Sequence, residues 1–326
     1  MAIRNRTILR QEVAFAAGDA AIVDNLPVNP LSFIDIVLRG ATSAALTLPS
    51  TLNMLQVLSR IEVLFRGSSV ISIAAQDLWF LQAAMGWLQG AAQPHADTGL
   101  DRWSIKLRLS FSRVPYWMNE GFPASRAGEL QLRLTPAAAF GNVTTPSLLV
   151  ETEEILDGDF KRFLKYTQLA RTPTATGESD QDLPIGNPYC GIVLFGTTVP
   201  TSTAVTASMR EVRLLIDNQE AYVPRTRWDS LNAEARNRAD SAHWYADHVH
   251  RLAAGAPAGD ALVEAMQYAG TSIMANYGWI DFDPLRTDDY LLPTAGRSSV
   301  KLRINADVAD AQRIYPIELL TVPGAA

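Results

Sequence analysis

The 326-residue chain has one cysteine, Cys190, so no disulfide can form within it and its stability must come from packing. Cys190 lies in the apolar run Tyr189-Cys190-Gly191-Ile192-Val193-Leu194 and reads as a buried, inert thiol, which suits folding in a reducing cytoplasm. No stretch of 18 apolar residues occurs, so no membrane-spanning helix is expected. Residues 1–7 are basic but have no apolar segment behind them, so no secretory signal is expected either. The Gly-x-Ser-x-Gly, Walker-type and Gly-x-Gly-x-x-Gly patterns are all missing, which removes the sequence grounds for a serine hydrolase, a P-loop nucleotidase or a dinucleotide enzyme. An excess of 34 acidic over 28 basic residues argues against a general nucleic-acid binder, since phosphate contact needs basic surplus.

What is there is a globular balance, 48% hydrophobic and 19% charged, in a chain long enough for two domains with separate cores. The chain also repeats itself. Leu26-Pro27-Val28-Asn29-Pro30 precedes Ile36-Val37-Leu38-Arg39-Gly40, and Leu183-Pro184-Ile185-Gly186-Asn187-Pro188 precedes Ile192-Val193-Leu194-Phe195-Gly196. The spacing is that of a whole domain, not of a solenoid repeat. Ile61-Glu62-Val63-Leu64-Phe65 parallels Val212-Arg213-Leu214-Leu215-Ile216, each with a polar turn behind it, then a short apolar run and a tryptophan, Trp79 or Trp228, heading a helix-like segment. Ile105-Lys106-Leu107-Arg108-Leu109 reads as the counterpart of Val300-Lys301-Leu302-Arg303-Ile304, each with one buried and one wet face. On that alignment the second copy gains about 45 residues between Trp228 and Lys301.

Most of the chain reads as short strands separated by Gly, Pro, Asn and Ser, which implies a sandwich or barrel. The expected strands are 12–15, 32–38, 44–48, 61–65, 70–73, 105–111 and 129–134, then 165–170, 191–195, 205–207, 212–216, 221–223, 300–305 and 317–321. Two helical interruptions stand out. Leu78, Leu81, Met85 and Leu88 share one helical face, with Asp77 placed to cap it. Residues 231–252 form the second, followed by a helix over 260–268. The acidic segment 151–159 reads as the junction, dividing the chain at about residue 157 into an N-terminal copy, 1–157, and a C-terminal copy, 158–326, with a helical and loop insertion at about 228–299.

The search for chemistry gives little. His243, Asp247, His248 and His250 are the nearest approach to a zinc set, but on a helix His248 points away from His243 and His250, and a solvent-facing polar helix is the simpler account. The pairs Asp281/Asp283 and Asp288/Asp289 would suit a glycosidase only if they faced a cleft. Gly67-Ser68-Ser69 is a hairpin turn and no phosphate loop. Seven tryptophans read as core and interface residues before they read as a sugar platform. The Lys106/Arg108 and Lys301/Arg303 stripes read as outward sheet faces. No catalytic residue, cofactor or metal site is expected.

The paired Leu-Pro and Ile-Val-Leu-x-Gly blocks, and the paired hairpins 61–73 and 212–223 leading into helices, resemble the double jelly-roll major capsid proteins of tailless icosahedral viruses, in particular bacteriophages with an internal membrane. The resemblance covers almost the whole chain. It implies an all-β fold of two tandem eight-stranded jelly rolls with short helical insertions, a homotrimer whose six rolls form a pseudo-hexagonal capsomer, contacts with neighbouring capsomers and with vertex or minor capsid proteins, and a place in the virion shell assembled in the host cytoplasm. It also implies a basic N-terminal arm facing an internal membrane, although residues 1–15 are too short and too β-like for the amphipathic helix of some relatives. No specific nucleic-acid recognition is implied. The alternative from the residues alone is a secreted two-domain β-sandwich that processes or binds glycans.

Overall fold

A computed structural model describes residues 3–42, 51–87, 93–95, 102–141, 143–201, 204–238 and 273–322. The chain divides into two units, the first holding the described residues up to Phe163 with Val322, the second Leu164–Arg238 and Ile273–Thr321. The expected strand 44–48, residue Leu88 and the helical stretches beyond 238 lie outside the described residues.

The first unit contains β1 (Ile3–Ala14), β2 (Ile22–Asn25), β3 (Leu31–Thr42), β4 (Leu58–Phe65), β5 (Ser68–Ile73), β6 (Gln93–His95), β7 (Arg102–Ser110), β8 (Leu130–Pro136) and β9 (Val143–Leu156), with helices α1 (Thr51–Leu55) and α2 (Ala75–Ala84). One sheet runs β1-β9-β3-β7-β6 and the other β2-β8-β4-β5. The second unit contains β10 (Arg162–Thr167), β11 (Leu169–Arg171), β12 (Gly177–Asp182), β13 (Tyr189–Gly196), β14 (Glu211–Ile216), β15 (Gln219–Glu220), β16 (Thr226–Arg227), helix α3 (Trp228–Arg238), β17 (Tyr277–Asp281), β18 (Val300–Ala306) and β19 (Gln312–Thr321). Its sheets run β10-β19-β13-β17 and β12-β18-β14-β15. Replacing β1, β9, β3 and β7 by β10, β19, β13 and β17, and β2, β8, β4 and β5 by β12, β18, β14 and β15, turns one order into the other. Each unit is an eight-stranded jelly roll, with the short strand β6 added in the first and β11 and β16 in the second.

The strands form for the reason read from the sequence, period-two alternation over a shared core. Ile61 and Val63 of β4 pair with Leu134 and Leu132 of β8, and all four are fully buried. Val212 and Leu214 of β14 pair with Ile304 and Leu302 of β18 in the same way. In the second unit these residues join Ile192, Leu194, Ile280, Trp228 and Leu231 in one apolar cluster. The hairpins match too. Arg66-Gly67 and Asp217-Asn218 take positive φ at both central positions, the two-residue turn that suits the right-handed twist of the strands.

The pairings correct one sequence alignment. Val300-Lys301-Leu302-Arg303-Ile304 is the equivalent of Leu130-Gln131-Leu132-Arg133-Leu134, and the equivalent of β7 is β17, since Ile34 pairs with Leu109 and Ile192 with Ile280. The offset is therefore 151 residues at β4 (Ile61 to Val212) and 171 at β7 (Leu109 to Ile280), a gain of 20 residues and not 45, and a core strand lies inside residues 228–299. Alternating basic residues misled the alignment because β7 and β18 both carry them. Asp77 is not the cap of α2. The N-cap is Ala74, without a side-chain bond, and buried Asp77 sits in the first turn, where the helix dipole favours it. Residues 205–207 are irregular, and 221–223 lie beside β14 without forming a strand because Tyr222 takes φ +61°.

A side-chain amide from the helix meets strand backbone in both units. Gln82 of α2 donates to the Lys106 carbonyl at 3.3 Å and accepts from the Arg108 N–H at 2.7 Å, serving the part of β7 that runs past its pairing with β6 at residues 102–104. Asn232 of α3 donates to the carbonyls of Met274 (2.8 Å) and Tyr277 (2.7 Å) at the head of β17. At Gly40 of β3 an added Cβ would lie 2.6 Å from the Trp103 ring, so the glycine that ends the first apolar block is required by packing.

Alternation sets the first prediction. Leu302→Ala should cost about 2–5 kcal/mol in urea denaturation, while Lys301→Ala, next to it on the other face, should stay within about 0.5 kcal/mol.

Candidate functional site

The residues singled out for chemistry do not assemble. His243, Asp247, His248 and His250 lie outside the described residues, and among the described residues no group of three or more His, Cys, Asp or Glu side chains is placed to hold a metal ion. Asp281, at the end of β17, is bonded to Arg238 of α3, and its Oδ1 accepts from the Asp283 N–H at 2.8 Å. Burial pushes the Arg286 guanidinium down, opposed by the charges of Asp281 and of buried Asp283. These groups form a mixed-charge cluster that pins α3 to the sheet, unlike the open carboxylate pair a glycosidase needs. Asp288 and Asp289 are exposed. Trp79, Trp87, Trp103, Trp228 and Trp279 are buried, which leaves no sugar platform among them. The basic stripes are matched by carboxylates: Lys106 and Arg108 with Asp35 at 2.7 and 2.8 Å, Arg303 with Asp180 at 2.7 Å, Lys301 with Asp182 at 3.7 Å. Arg108 is also buried, over the Phe33 ring at 3.8 Å, so its strand face is not the wet one expected.

What the structure builds, and builds twice, is one end of each jelly roll. Between β2 and β3 the chain leaves one sheet for the other. Leu26 dips into the core and donates its N–H to the Leu130 carbonyl (2.9 Å). The Asn29 side chain then donates to Glu154 Oε2 at 2.6 Å, and the Pro30 carbonyl accepts from the Ile155 N–H at 2.9 Å. In the second unit Leu183 bonds to the Val300 carbonyl (2.9 Å), Asn187 to Glu318 Oε2 (2.8 Å) and Pro188 to the Leu319 N–H (2.9 Å). Proline has no N–H to continue a ladder, so its carbonyl faces the last strand alone while the asparagine amide satisfies a buried carboxylate. This is the physical content of the repeated Leu-Pro and Asn-Pro. Buried Glu154 also accepts from Thr7 (2.5 Å) of the first strand, and buried Glu318 from Lys165 (3.0 Å) of the corresponding β10. In the second unit Tyr189 adds a hydroxyl bond to the Pro184 carbonyl, and burial raises its phenol well above the ordinary value.

Two further segments complete each end. Leu31 and Phe122 exchange backbone bonds at 2.9 and 2.8 Å, as do Tyr189 and Leu292 at 3.0 and 3.1 Å, so loops 111–128 and 282–299 are stitched to the crossovers. The hairpin turns join them: the Arg66 N–H bonds to the Glu129 carbonyl (2.7 Å), and Asp217 to that of Ser299 (2.9 Å). Inside the first loop Glu120, fully buried, lies between Arg113 and Arg162, whose Nη2 is 3.1 Å away. In the second, Asp217 Oδ1 accepts from the Ser298 N–H (2.7 Å) and hydroxyl (2.8 Å) and the Ser299 N–H (3.2 Å), which hold its carboxyl below the usual range. Outward, both ends show apolar side chains. Val28 and Ile185, one residue beyond each Leu-Pro, are 44% and 43% exposed, joined by Tyr116 and Met118 in one unit and Leu285 and Tyr290 in the other. The signal was in the sequence as an apolar residue following both Leu-Pro pairs.

No family model and no curated protein matches the chain. Solved structures do. Those most similar include the major capsid protein of Sulfolobus turreted icosahedral virus (15% identity, TM-score 0.68, covering 98% of this chain and 97% of that one) and the major capsid protein of bacteriophage PM2 (11%, TM-score 0.59, 98% of each). The major capsid protein of Faustovirus follows (10%, TM-score 0.51, 99% and 91%). All are double jelly rolls. The fold of this chain is the double jelly roll. At 10–15% identity over nearly the full length of each chain, what is shared with those structures is the backbone fold.

Asp217 gives the second prediction. Its folded pKa is lowered, so its contribution is present above about pH 4 and is lost as pH falls through the folded value. Hydrogen exchange over 282–299 should be protected at pH 7 and faster in Asp217→Ala, and the difference between the two proteins should shrink as the pH falls below about 4.

Proposed function

We propose that this chain is a viral major capsid protein, a structural and non-enzymatic subunit of an icosahedral shell. The observation that carries the reading is the duplication itself: two jelly rolls of identical strand order in one chain, matched over nearly their full length in both directions by capsid proteins. A lattice of six-sided tiles can be laid with three chains if each supplies two similar walls, and the copies then diverge to meet different neighbours. The partners are accordingly two further copies of the chain, neighbouring capsomers and, at the vertices, minor capsid proteins. The division near residue 157, where Asp157 takes φ +65° and Gly158 closes a turn onto the Ile155 carbonyl at 3.0 Å, opens the second copy.

The N-terminal arm is proposed to lie on the inner side of the shell. β1 presents Arg4, Arg6 and Arg10, but each faces a carboxylate at 2.7 Å or less (Glu153, Glu151 and Asp24), so the arm is spent on its own sheet more than on a membrane or a genome. The protein is placed in the virion after assembly in the host cytoplasm. The glycan alternative loses its candidate features, since Trp79, Trp87, Trp103, Trp228 and Trp279 fill the core and Asp281 is bound to arginine.

The test is mass in solution. Light scattering on a sizing column at micromolar concentration should give a trimer, three times 35.6 kDa or about 107 kDa. A stable monomer would overturn the reading.

A further inference from the structure

The same crossover is fastened by different chemistry in the two units. In the first, Glu154 holds the Asn29 amide on Oε2 at 2.6 Å, and its Oε1 accepts from the Thr7 hydroxyl at 2.5 Å and the Asn5 amide at 3.3 Å. In the second, Glu318 holds the Asn187 amide nitrogen on Oε2 at 2.8 Å, and a primary amine, Lys165 Nζ of β10, stands 3.0 Å from Oε1. The Glu318 side chain is 1% exposed, and Leu164, Tyr166, Ile317 and Leu319, which flank the lysine and the glutamate along their strands, are buried as well. Asn187 is fixed through its backbone. Its carbonyl accepts from the hydroxyl of fully buried Thr294 at 2.7 Å, and that hydroxyl accepts from the Gly186 N–H at 2.9 Å. One carboxylate thus carries a nucleophile on one oxygen and an amide with a leaving group on the other. Pro188 follows Asn187 and has no N–H, which blocks the backbone attack by which asparagine ordinarily loses ammonia.

We propose that Lys165 and Asn187 join in an intramolecular isopeptide bond, with Glu318 as the proton carrier. The lysine ammonium gives one proton to Glu318 Oε1 along the 3.0 Å bond, and the neutral amine attacks Cγ of Asn187. The Nζ–Cγ bond forms and the Cγ–Nδ2 bond breaks. Nδ2 takes a second proton from the attacking nitrogen and the proton held by Glu318, and departs as ammonium. Glu318 is again a carboxylate, and no oxidant or other reactant is consumed. Holding the three groups in one place supplies the proximity that free side chains lack. The bond ties the first strand of the second roll, across β19, to the crossover that precedes β13. Closing residues 165–187 into a loop restricts the unfolded chain as a disulfide does. A chain with one cysteine cannot make that disulfide, and an amide survives where a disulfide would be reduced. The first unit, with Thr7 and Asn5 on its glutamate, has no amine there to react. The bond stands apart from the capsid reading and needs only the folded second unit.

The experiment is mass spectrometry of the full chain, purified folded and kept for days in neutral buffer, with circular dichroism to verify folding. The intact chain should be lighter than its sequence requires by one ammonia, about 17 Da. Cleavage after glutamate separates residues 155–178 from 179–211 in an unlinked chain. In the linked chain the two should travel as one branched fragment, and its fragmentation should place the branch at Lys165 and Asn187, while the fragment holding Asn29 keeps its sequence mass. Lys165→Arg, which keeps a cation against Glu318, and Glu318→Gln should both lose the branched fragment and return to full sequence mass. Because the first of these preserves the charge pair, it separates loss of the reaction from loss of the fold. A folded parent chain at full sequence mass would overturn the proposal. So would a mass loss that persists in Lys165→Arg, or an Asn187 converted to aspartate with a gain of about 1 Da, since water and not lysine would then be the nucleophile. A branched fragment that persists in folded Glu318→Gln would remove the carboxylate from the reaction and overturn the mechanism.

Discussion

The structure depends on a buried carboxylate at each sheet crossover. A jelly roll must carry its chain from one sheet to the other between the second and third strands, and the backbone there leaves its ladder. Asn29 with Glu154, and Asn187 with Glu318, settle that problem in the same way. A buried glutamate without partners would cost several kcal/mol, so the asparagine amide and the first strand of each roll are held to it. The proline beside the asparagine fixes the turn and frees a carbonyl for the last strand. Crossover, hairpin turn and long loop then converge on one end of the roll, and the same backbone bonds recur in both units although few side chains agree.

Much of this fold was legible. The alternating runs of β4, β8 and β18 and the apolar runs of β3, β13 and β14 appear where the sequence places them, and the two echoes, Leu-Pro and the hairpin, mark equivalent positions in three dimensions. The failures have particular causes. β9 was read as an acidic junction because Glu151, Glu153 and Glu154 look like linker residues. They belong to a strand between β1 and β3, where arginines of β1 pair with Glu153 and Glu151 and the Asn29 amide donates a hydrogen bond to Glu154, all from far along the chain. Of β1 only the end was expected, as strand 12–15, because the basic residues of its earlier part are tied to those carboxylates and show no apolar face. β17 is five residues beside a loop-like acidic stretch, too short to show a period. Arg108 was read as wet because alternation cannot tell that Asp35 and Phe33 cover it.

The candidate surface was half visible. An apolar residue follows both Leu-Pro pairs, but nothing in the sequence joins Val28 to loop 111–128, because the link is a set of backbone bonds between residues nearly a hundred positions apart. Once joined, crossover, hairpin turn and loop make one end of the roll, and the same frame of backbone bonds recurs in both units.

The most direct test of this account is electron microscopy of the purified chain. The account predicts particles of threefold symmetry with a hexagonal outline, six jelly rolls contributed by three chains. A particle of twofold symmetry, or a chain whose two rolls stand alone, would contradict it.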